Sequence, residues 1–521
     1  MEAESRTRKL ARIGVKPRAL LLAFCAAILV WTAAMPFRRA FLFAEFDYNE
    51  GWNLYNTQKV ALHQPLYPAT YAWTAVNYPA LSFHLVALLG RFTHEYLFTA
   101  RVLSLLGLCL TAFFAGAIVQ RTTRSRSAAW LTGLFLIAWF SAAADAYVGT
   151  DDPQILAQAF FMAGLFVYLR GHRQGWALEA SALLFVVGGN IKHNLIEFPL
   201  AVLLDLLITA PRRALRFAAV GGLMAAVSIL LTRQIDGAAY VSSMLAPRSY
   251  SFMDGVTTML LLPTYSPLPV LAALAVAWLC WKAPERRVLA LLLGCALVVN
   301  TLFSGGSGVD INGSFGSMLA MVLLCGVFAV EFSRPQLIHK DTGCPILAPF
   351  FWRKGGKTKN DWRVGSMRRF SFQSPVIAFS ILFLGLAVPM IHSGNARTDE
   401  VFAGNRETAQ RFSAEVGFLR QQPGPALCES MLRCAYAGKP YIYDPFNATR
   451  FIGLGKLDAN VIVDQIKNHS YGAIQMYNSV DYKLADPEPQ MSFTIPILQA
   501  INQYYRPGLE NEDGAIYLPR K

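Results

Sequence analysis

Apolar runs with the character of bilayer spans recur along this chain, and clusters of lysine and arginine separate them. Ala19–Val30, Val288–Val299 and Val376–Val388 consist mostly of Leu, Ala, Val, Ile and Phe. A backbone inside hydrocarbon must satisfy its own hydrogen bonds, so such runs are expected as helices packed on one another. Composition agrees. Only 15% of the 521 residues are charged and 54% are hydrophobic, too few charges to clothe a soluble surface of that size. A disordered chain, a coiled coil and a cytosolic enzyme are excluded. The fold class expected is a polytopic α-helical membrane protein.

The net charge of +14 is placed as membrane topology predicts, between apolar segments rather than along one amphipathic face, which argues against nucleic acid as a partner. Arg6, Arg8, Lys9, Arg12, Lys16 and Arg18 hold the N-terminus in the cytoplasm and outweigh Arg38 and Arg39 on the far side of the first run, which reads as a signal anchor. Further spans are expected near 97–120, 127–146, 153–170, 214–232, 267–282, 286–303, 314–332 and 374–391. Trp176–Ala210 is too long for one ordinary crossing, about 50 Å as a helix against a hydrocarbon core of about 30 Å. It is expected to break at Gly188–Asn194, as two short crossings or a re-entrant pair. The basic clusters, including the 333–372 loop, then fall inside. The result is eleven spans, N-terminus in and C-terminus out, in a multi-pass protein of the cell (inner) membrane.

Residues 1–392 thus form a membrane module and 393–521 an extracytoplasmic domain. The first exterior loop covers about residues 38–96. Within it Tyr78–Phe92 is apolar but short, and is expected to lie along the membrane surface. In the tail, strand-like Pro425–Cys428, Tyr441–Tyr443, Gly472–Tyr477 and Ala515–Leu518, with a helix over Asp458–Asn468, predict a small α/β fold. Cys428 and Cys434 are the only exterior cysteines, a pair that readily oxidises there. Their segment lacks the further ligands a metal would need.

Carboxylates gather at the exterior mouths. Glu45, Asp47 and Glu50 open the first loop among Phe43, Phe46, Tyr48, Trp52 and Tyr55. An acid there can take a proton from a hydroxyl where bulk water is excluded, and the rings suit either a membrane belt or a sugar. Asp151 and Asp152 precede Pro153. One can cap a helix while the pair, with the first-loop acids, could hold a divalent cation. Lys192 and His193 sit at the break in the long apolar stretch. Lys192 either snorkels to the headgroups or meets a phosphate. Arg233 and Arg248 lie in another exterior loop and could share that phosphate, since guanidinium grips it with a fork of donors. Asn312, Asn447 and Asn468 begin exterior glycosylation sequons.

Taken together, these motifs resemble GT-C-fold glycosyltransferases that use lipid-linked sugars. They are most similar to the bacterial branch of protein O-mannosyltransferase, aminoarabinose transferase and Rgt-type enzymes (glycosyltransferase family 39-like). The resemblance rests on Asp47-Tyr-Asn-Glu-Gly-Trp-Asn, Leu66-Tyr67, Asn77-Tyr-Pro-Ala-Leu-Ser-Phe, Ala100-Arg101, Gly149-Thr-Asp-Asp-Pro, Lys192, Ala437-Gly-Lys-Pro and Tyr443-Asp-Pro-Phe. It implies a polyprenyl-phosphate sugar donor, hexosyl or pentosyl transfer, and an extracytoplasmic glycan, lipid or protein acceptor. It also implies a first-loop acid as base, Asp47 being the best match with Glu50 the alternative, and an inverting displacement in which Lys192 neutralises the leaving phosphate. The resemblance fixes no cofactor, and Mg2+ or Mn2+ at Asp151 and Asp152 stays open. A transporter or flippase of a lipid-linked or anionic substrate is the competing class. It would want ionisable groups and broken helices near the midplane and internal repeats, whereas here the acids gather at the mouths.

Overall fold

The structure, a computed structural model, describes residues 17–171, 175–333, 374–389, 405–485, 492–512 and 514–520. Most of the basic N-terminal tail, the 333–372 loop beyond Ser333, Cys344 and the start of the C-terminal tail lie outside the described residues.

The membrane module is a run of helices: α1 Pro17–Arg39, α2 Tyr48–Ala61, α3 Leu81–Thr93, α4 Tyr96–Thr123, α5 Arg126–Ala143 and α6 Pro153–Arg170. There follow α7 Trp176–Ile191, α8 Glu197–Thr209, α9 Pro211–Asp236, α10 Phe252–Tyr265, α11 Pro267–Lys282, α12 Arg287–Ser304, α13 Phe315–Ser333 and α14 Pro375–Leu384. Every segment expected to span contains a helix. Among the described residues, five helices, Pro17–Arg39, Tyr96–Thr123, Pro211–Asp236, Arg287–Ser304 and Ile311–Ser333, are long and apolar enough to cross a membrane, or six with one bent pair counted. The protein is a multi-pass membrane protein.

Local chemistry sets the helix starts. Asp152 and Ser374 each stand before a proline, whose fixed φ suits the first helical position, and accept a backbone N–H of the first turn. Asp47 and Glu95 cap α2 and α4 in the same way. The stretch Trp176–Ala210 does break, α7 ending at Ile191 and α8 starting at Glu197, with Lys192 between them. The short apolar segment of the first loop forms a helix, α3, packed on α2 and α4. The apolar helix α10 was not anticipated. It meets α11 at a 99° bend, where Ser266-Pro267 interrupts the hydrogen-bond ladder. Arg39, anomalous for topology, is buried and donates to the Val148 carbonyl (2.9 and 3.2 Å).

The tail adds α15 Asn405–Gln421, β1 Ala426–Cys428, α16 Met431–Tyr436, α17 Pro445–Gly453, α18 Ala459–Lys467, β2 Ala473–Met476, α19 Ile495–Tyr504, β3 Tyr505–Asn511 and β4 Gly514–Pro519. The strands form one sheet in the order β1-β2-β4-β3, parallel only between β1 and β2. Tyr441–Tyr443 is not a strand, because it leads into the Asp444 cap of α17 and its rings pack on Tyr55 and Trp73. The edge strand β3 went unforeseen, since Pro507 and Gly508 break the alternation that marks a strand. Cys428 and Cys434 are joined by a disulfide.

The tail and the first loop share a core in which Trp52, Tyr55 and Tyr67 pack with Met431 and Leu432. Gly51 makes this contact possible. A Cβ there would lie 2.1 Å from the backbone nitrogen of Leu432, so only glycine lets α2 and α16 approach so closely.

Candidate active site

The acids of the first loop are held by the chain as it leaves α1. Arg101, in the second turn of α4, is 1% exposed and donates to the Leu42 and Ala44 carbonyls (both 2.6 Å) and to both oxygens of Glu50 (both 2.7 Å). Glu50, fully buried, also accepts from the backbone N–H groups of Phe46 (3.0 Å) and Asp151 (3.1 Å). Each Glu50 oxygen therefore holds two donors. Such a carboxylate has little lone-pair capacity left for an incoming proton, which favours Asp47 over Glu50 as the base. Its work is to lock the first loop to the Asp151-Asp152 turn.

Asp47 is different. It caps α2 by accepting from Asn49 N (2.8 Å) and its carboxylate has acceptor capacity to spare. Burial raises its pKa to about 6, and the neighbouring charges of Asp152 and Glu50 add to that push. A base poised just below neutrality suits proton abstraction from a hydroxyl.

Asp152 caps α6, accepting from Gln154 N (2.7 Å), and its other oxygen faces Lys192 Nζ at 3.7 Å. Lys192 is not snorkelling. It is 4% exposed, its Nζ makes no hydrogen bond among the described residues, and it lies 3.3 Å from the centroid of the Tyr78 ring. Burial pulls its pKa down to about 8, against the pull of Asp152, while the charge of Arg248 lowers it further. Asp151 is buried, one of its oxygens is unpartnered, and burial pushes its pKa well above the usual carboxylate range, helped by Glu50 and Asp152. Among the described residues no three His, Cys, Asp or Glu side chains converge as metal ligands. Asp152, one of the two acids at which a divalent cation stayed open, faces the Lys192 ammonium.

The remaining cations separate. Arg248 is half-buried and lines a cavity of about 220 Å3 with Tyr48, Asn49, Trp52, Tyr78 and Asp444. Burial lowers its pKa. Arg233 is exposed near the end of α9 and does not line that cavity. Burial, with Lys192 and Arg248 nearby, holds the pKa of His193 down to about 4, so it is neutral at physiological pH. It lines an apolar groove of about 580 Å3 between α7, α8 and α9, walled by residues such as Phe185, Leu200, Leu203, Phe217 and Ile229.

Two contributors escaped the sequence reading. Tyr78, treated there as part of a surface helix, floors the Lys192 ammonium and stacks edge-on against Trp52 at 4.8 Å. Asp444 is fully buried and accepts from Tyr48 Oη (3.1 Å), Trp52 Nε1 (2.9 Å), Asn447 N (3.0 Å) and Asn447 Nδ2 (2.6 Å). It ties the tail to α2 beside the cavity. Its position in Tyr-Asp-Pro-Phe, with a proline after the acid, was the available signal. Asn447 is thereby committed, and its sequon is buried within the fold.

No protein-family profile matches the sequence, and no curated protein matches it. Solved structures do. ArnT from Cupriavidus metallidurans in the apo state superposes with a TM-score of 0.58 at 13% identity, over 96% of this chain and 97% of that one. The same protein bound to undecaprenyl phosphate gives 0.57 at 14% identity, over 96% and 97%. A looser likeness, 0.49 at 11% identity over 97% of this chain and 74% of that one, is to the Archaeoglobus fulgidus oligosaccharyltransferase tethered with an acceptor peptide. The chain has the GT-C fold.

Proposed function

We propose that the protein transfers a sugar from a polyprenyl-phosphate donor to an acceptor hydroxyl outside the cytoplasm, on a glycan, lipid or protein, with inversion at the anomeric carbon. The observation that carries this reading is Lys192: an ammonium buried at a helix break, with no hydrogen bond among the described residues, near a carboxylate with spare acceptor capacity. A cation so desolvated gains much from an arriving phosphate. The apolar groove that reaches His193, next in sequence, offers a bed for a prenyl tail, and the cavity with Arg248, Trp52 and Tyr78 offers donors and rings to a sugar. The shared fold with ArnT, which binds undecaprenyl phosphate, is consistent with it.

The acceptor O–H gives its proton to Asp47 as its oxygen bonds to the anomeric carbon. The bond from that carbon to the phosphate oxygen breaks, and its electron pair leaves with the phosphate, whose new charge Lys192 and Arg248 meet. Phosphate so neutralised leaves without a general acid.

The test is a panel of polyprenyl-phosphate pentoses and hexoses given to the purified protein with an envelope extract. Release of polyprenyl phosphate from one donor by the wild type, and not by Asp47→Asn, is expected. If no donor is consumed and polyprenyl phosphate itself does not bind, the reading falls.

A further inference from the structure

A second charged site lies at the other end of the bundle. Arg101, in the candidate active site, and Arg121 are both on α4, twenty residues apart. That is about 30 Å of helix, the thickness of the hydrocarbon core. There the last turns of α4 and α6 and the first residue of α5 enclose a notch of about 480 Å3 lined by Arg121, Arg124, Arg126 and Arg170, with Gln120, Ala117 and Phe166. No acidic side chain lines it. Among the described residues no carboxylate pairs with any of these four arginines.

Topology alone explains arginines on this side of a membrane, but not their convergence on one concave wall above an apolar floor. The neighbouring surface is also built to face lipid. Trp130, early in α5 and one turn after Arg126, is 77% exposed, and Phe113, one turn before Ala117, is 65% exposed. A ligand for this notch needs an anionic head for four guanidinium forks and an acyl chain for Ala117 and Phe166. We propose that the Arg121–Arg124–Arg126–Arg170 notch binds an anionic phospholipid in the leaflet opposite the candidate active site. The headgroup phosphate would sit among the guanidiniums, and one acyl chain would run down past Phe166. The function of this site is separate from transfer, and the proposal does not depend on the transfer reading.

The experiment uses the full-length purified protein with phosphatidylglycerol or phosphatidylcholine of matched chains, bound lipid being counted by native mass spectrometry. Wild type is expected to retain phosphatidylglycerol over phosphatidylcholine by about tenfold, the order expected from one or two surface arginines. Arg121→Gln with Arg170→Gln should remove most of that preference, and Arg121→Lys with Arg170→Lys should keep most of it. Equal retention of the two lipids by wild type, or an undiminished preference in the Gln pair, overturns the proposal. Displacement of phosphatidylglycerol from wild type by an equal concentration of sn-glycerol 3-phosphate also overturns it, because the acyl chain would then contribute nothing. The lipid comparison and the displacement read wild-type protein alone, so they decide the matter even where a variant fails to fold.

Discussion

Replacing Lys192 by Gln separates a phosphate-binding lysine from a structural one. Its Nζ is 3.7 Å from Asp152 Oδ2, and at an effective dielectric of about 20 a charge pair at that distance attracts by about 4 kcal/mol. Against this stands the cost of burial. With that attraction already included the pKa still falls from 10.5 to about 8, a net cost of about 3 kcal/mol against the charged form in the folded state. In Lys192→Gln the burial cost and the Asp152 attraction vanish together, so the melting temperature should not fall more than a few degrees below wild type. Transfer should not be spared. A fixed donor aimed at a developing oxyanion contributes about 10²–10³ in kcat, so kcat/KM for the lipid-linked donor is expected to fall about a hundredfold, and Arg should recover only part. The pH dependence carries a second signature. The ammonium is lost above about pH 8, so the wild-type rate should decline through that pH, and Lys192→Arg should lose this alkaline limb. Stability should move the other way. From about pH 8 to about 10.4 the unfolded chain holds a proton that the folded chain has released, so folding strengthens as pH rises across that window. Steady-state kinetics beside thermal melts decide it. Unchanged donor kinetics in a well-folded Gln variant would refute the phosphate role, and a collapsed melting temperature with intact kinetics would make Lys192 merely the partner of Asp152.

Asp47→Asn should fold and bind polyprenyl phosphate while transfer drops by about 10²–10⁴, and the wild-type rate should fall as pH drops through about 6, where Asp47 protonates. Glu50→Gln leaves the Arg101 guanidinium buried beside a neutral amide, a loss of about 3–5 kcal/mol seen in thermal melts, and Glu50→Gln with Arg101→Met should recover much of it. Asp444→Ala strips four donors of their acceptor and should raise proteolytic cleavage between the tail and the first loop. Cys428→Ser opens a disulfide closing a short loop, costing about 2 kcal/mol, and in wild-type cells a membrane-impermeant thiol reagent should label this pair only after reduction.

Much of the architecture is legible in the sequence because hydropathy and helix caps are local. The break after Ile191 shows as glycines followed by Lys192 and His193, and Asp-Pro and Ser-Pro mark helix starts directly. The bend between α10 and α11 does not show, since Pro263 lies inside a helix while Pro267 begins one, and proline identity alone does not separate the two. Lys192 was equally opaque. A lysine at a membrane surface usually keeps its head in water, and only the packing of Tyr78 and Asp152 around it decides otherwise.

The acids pose the same problem more sharply, and hydrogen-bond satisfaction resolves it. Glu45, Asp47, Glu50, Asp151, Asp152 and Asp444 look alike as letters near aromatic residues. In the fold, Glu50 and Asp444 each hold four donors, and Glu45 holds Arg433, Ser430 and Tyr477. These three join segments distant in sequence, and a carboxylate so occupied has little capacity left for chemistry. Asp47 and Asp152 each spend one oxygen on a helix cap, and Asp151 lends its backbone to Glu50 and Asn53 while its side chain stays unpartnered. The fully bonded acids thus hold the less bonded ones in place. Glu50 fixes Asp151 through its backbone, and Asp444 fixes α2, whose cap is Asp47. The division depends on donors that arrive at Glu50 from Arg101, 51 residues away, and at Asp444 from Tyr48 and Trp52, nearly 400 residues away. No short window along the sequence contains both ends of these long-range bonds, so an acid with acceptor capacity to spare is recognised by the bonds it lacks, which only the folded chain defines.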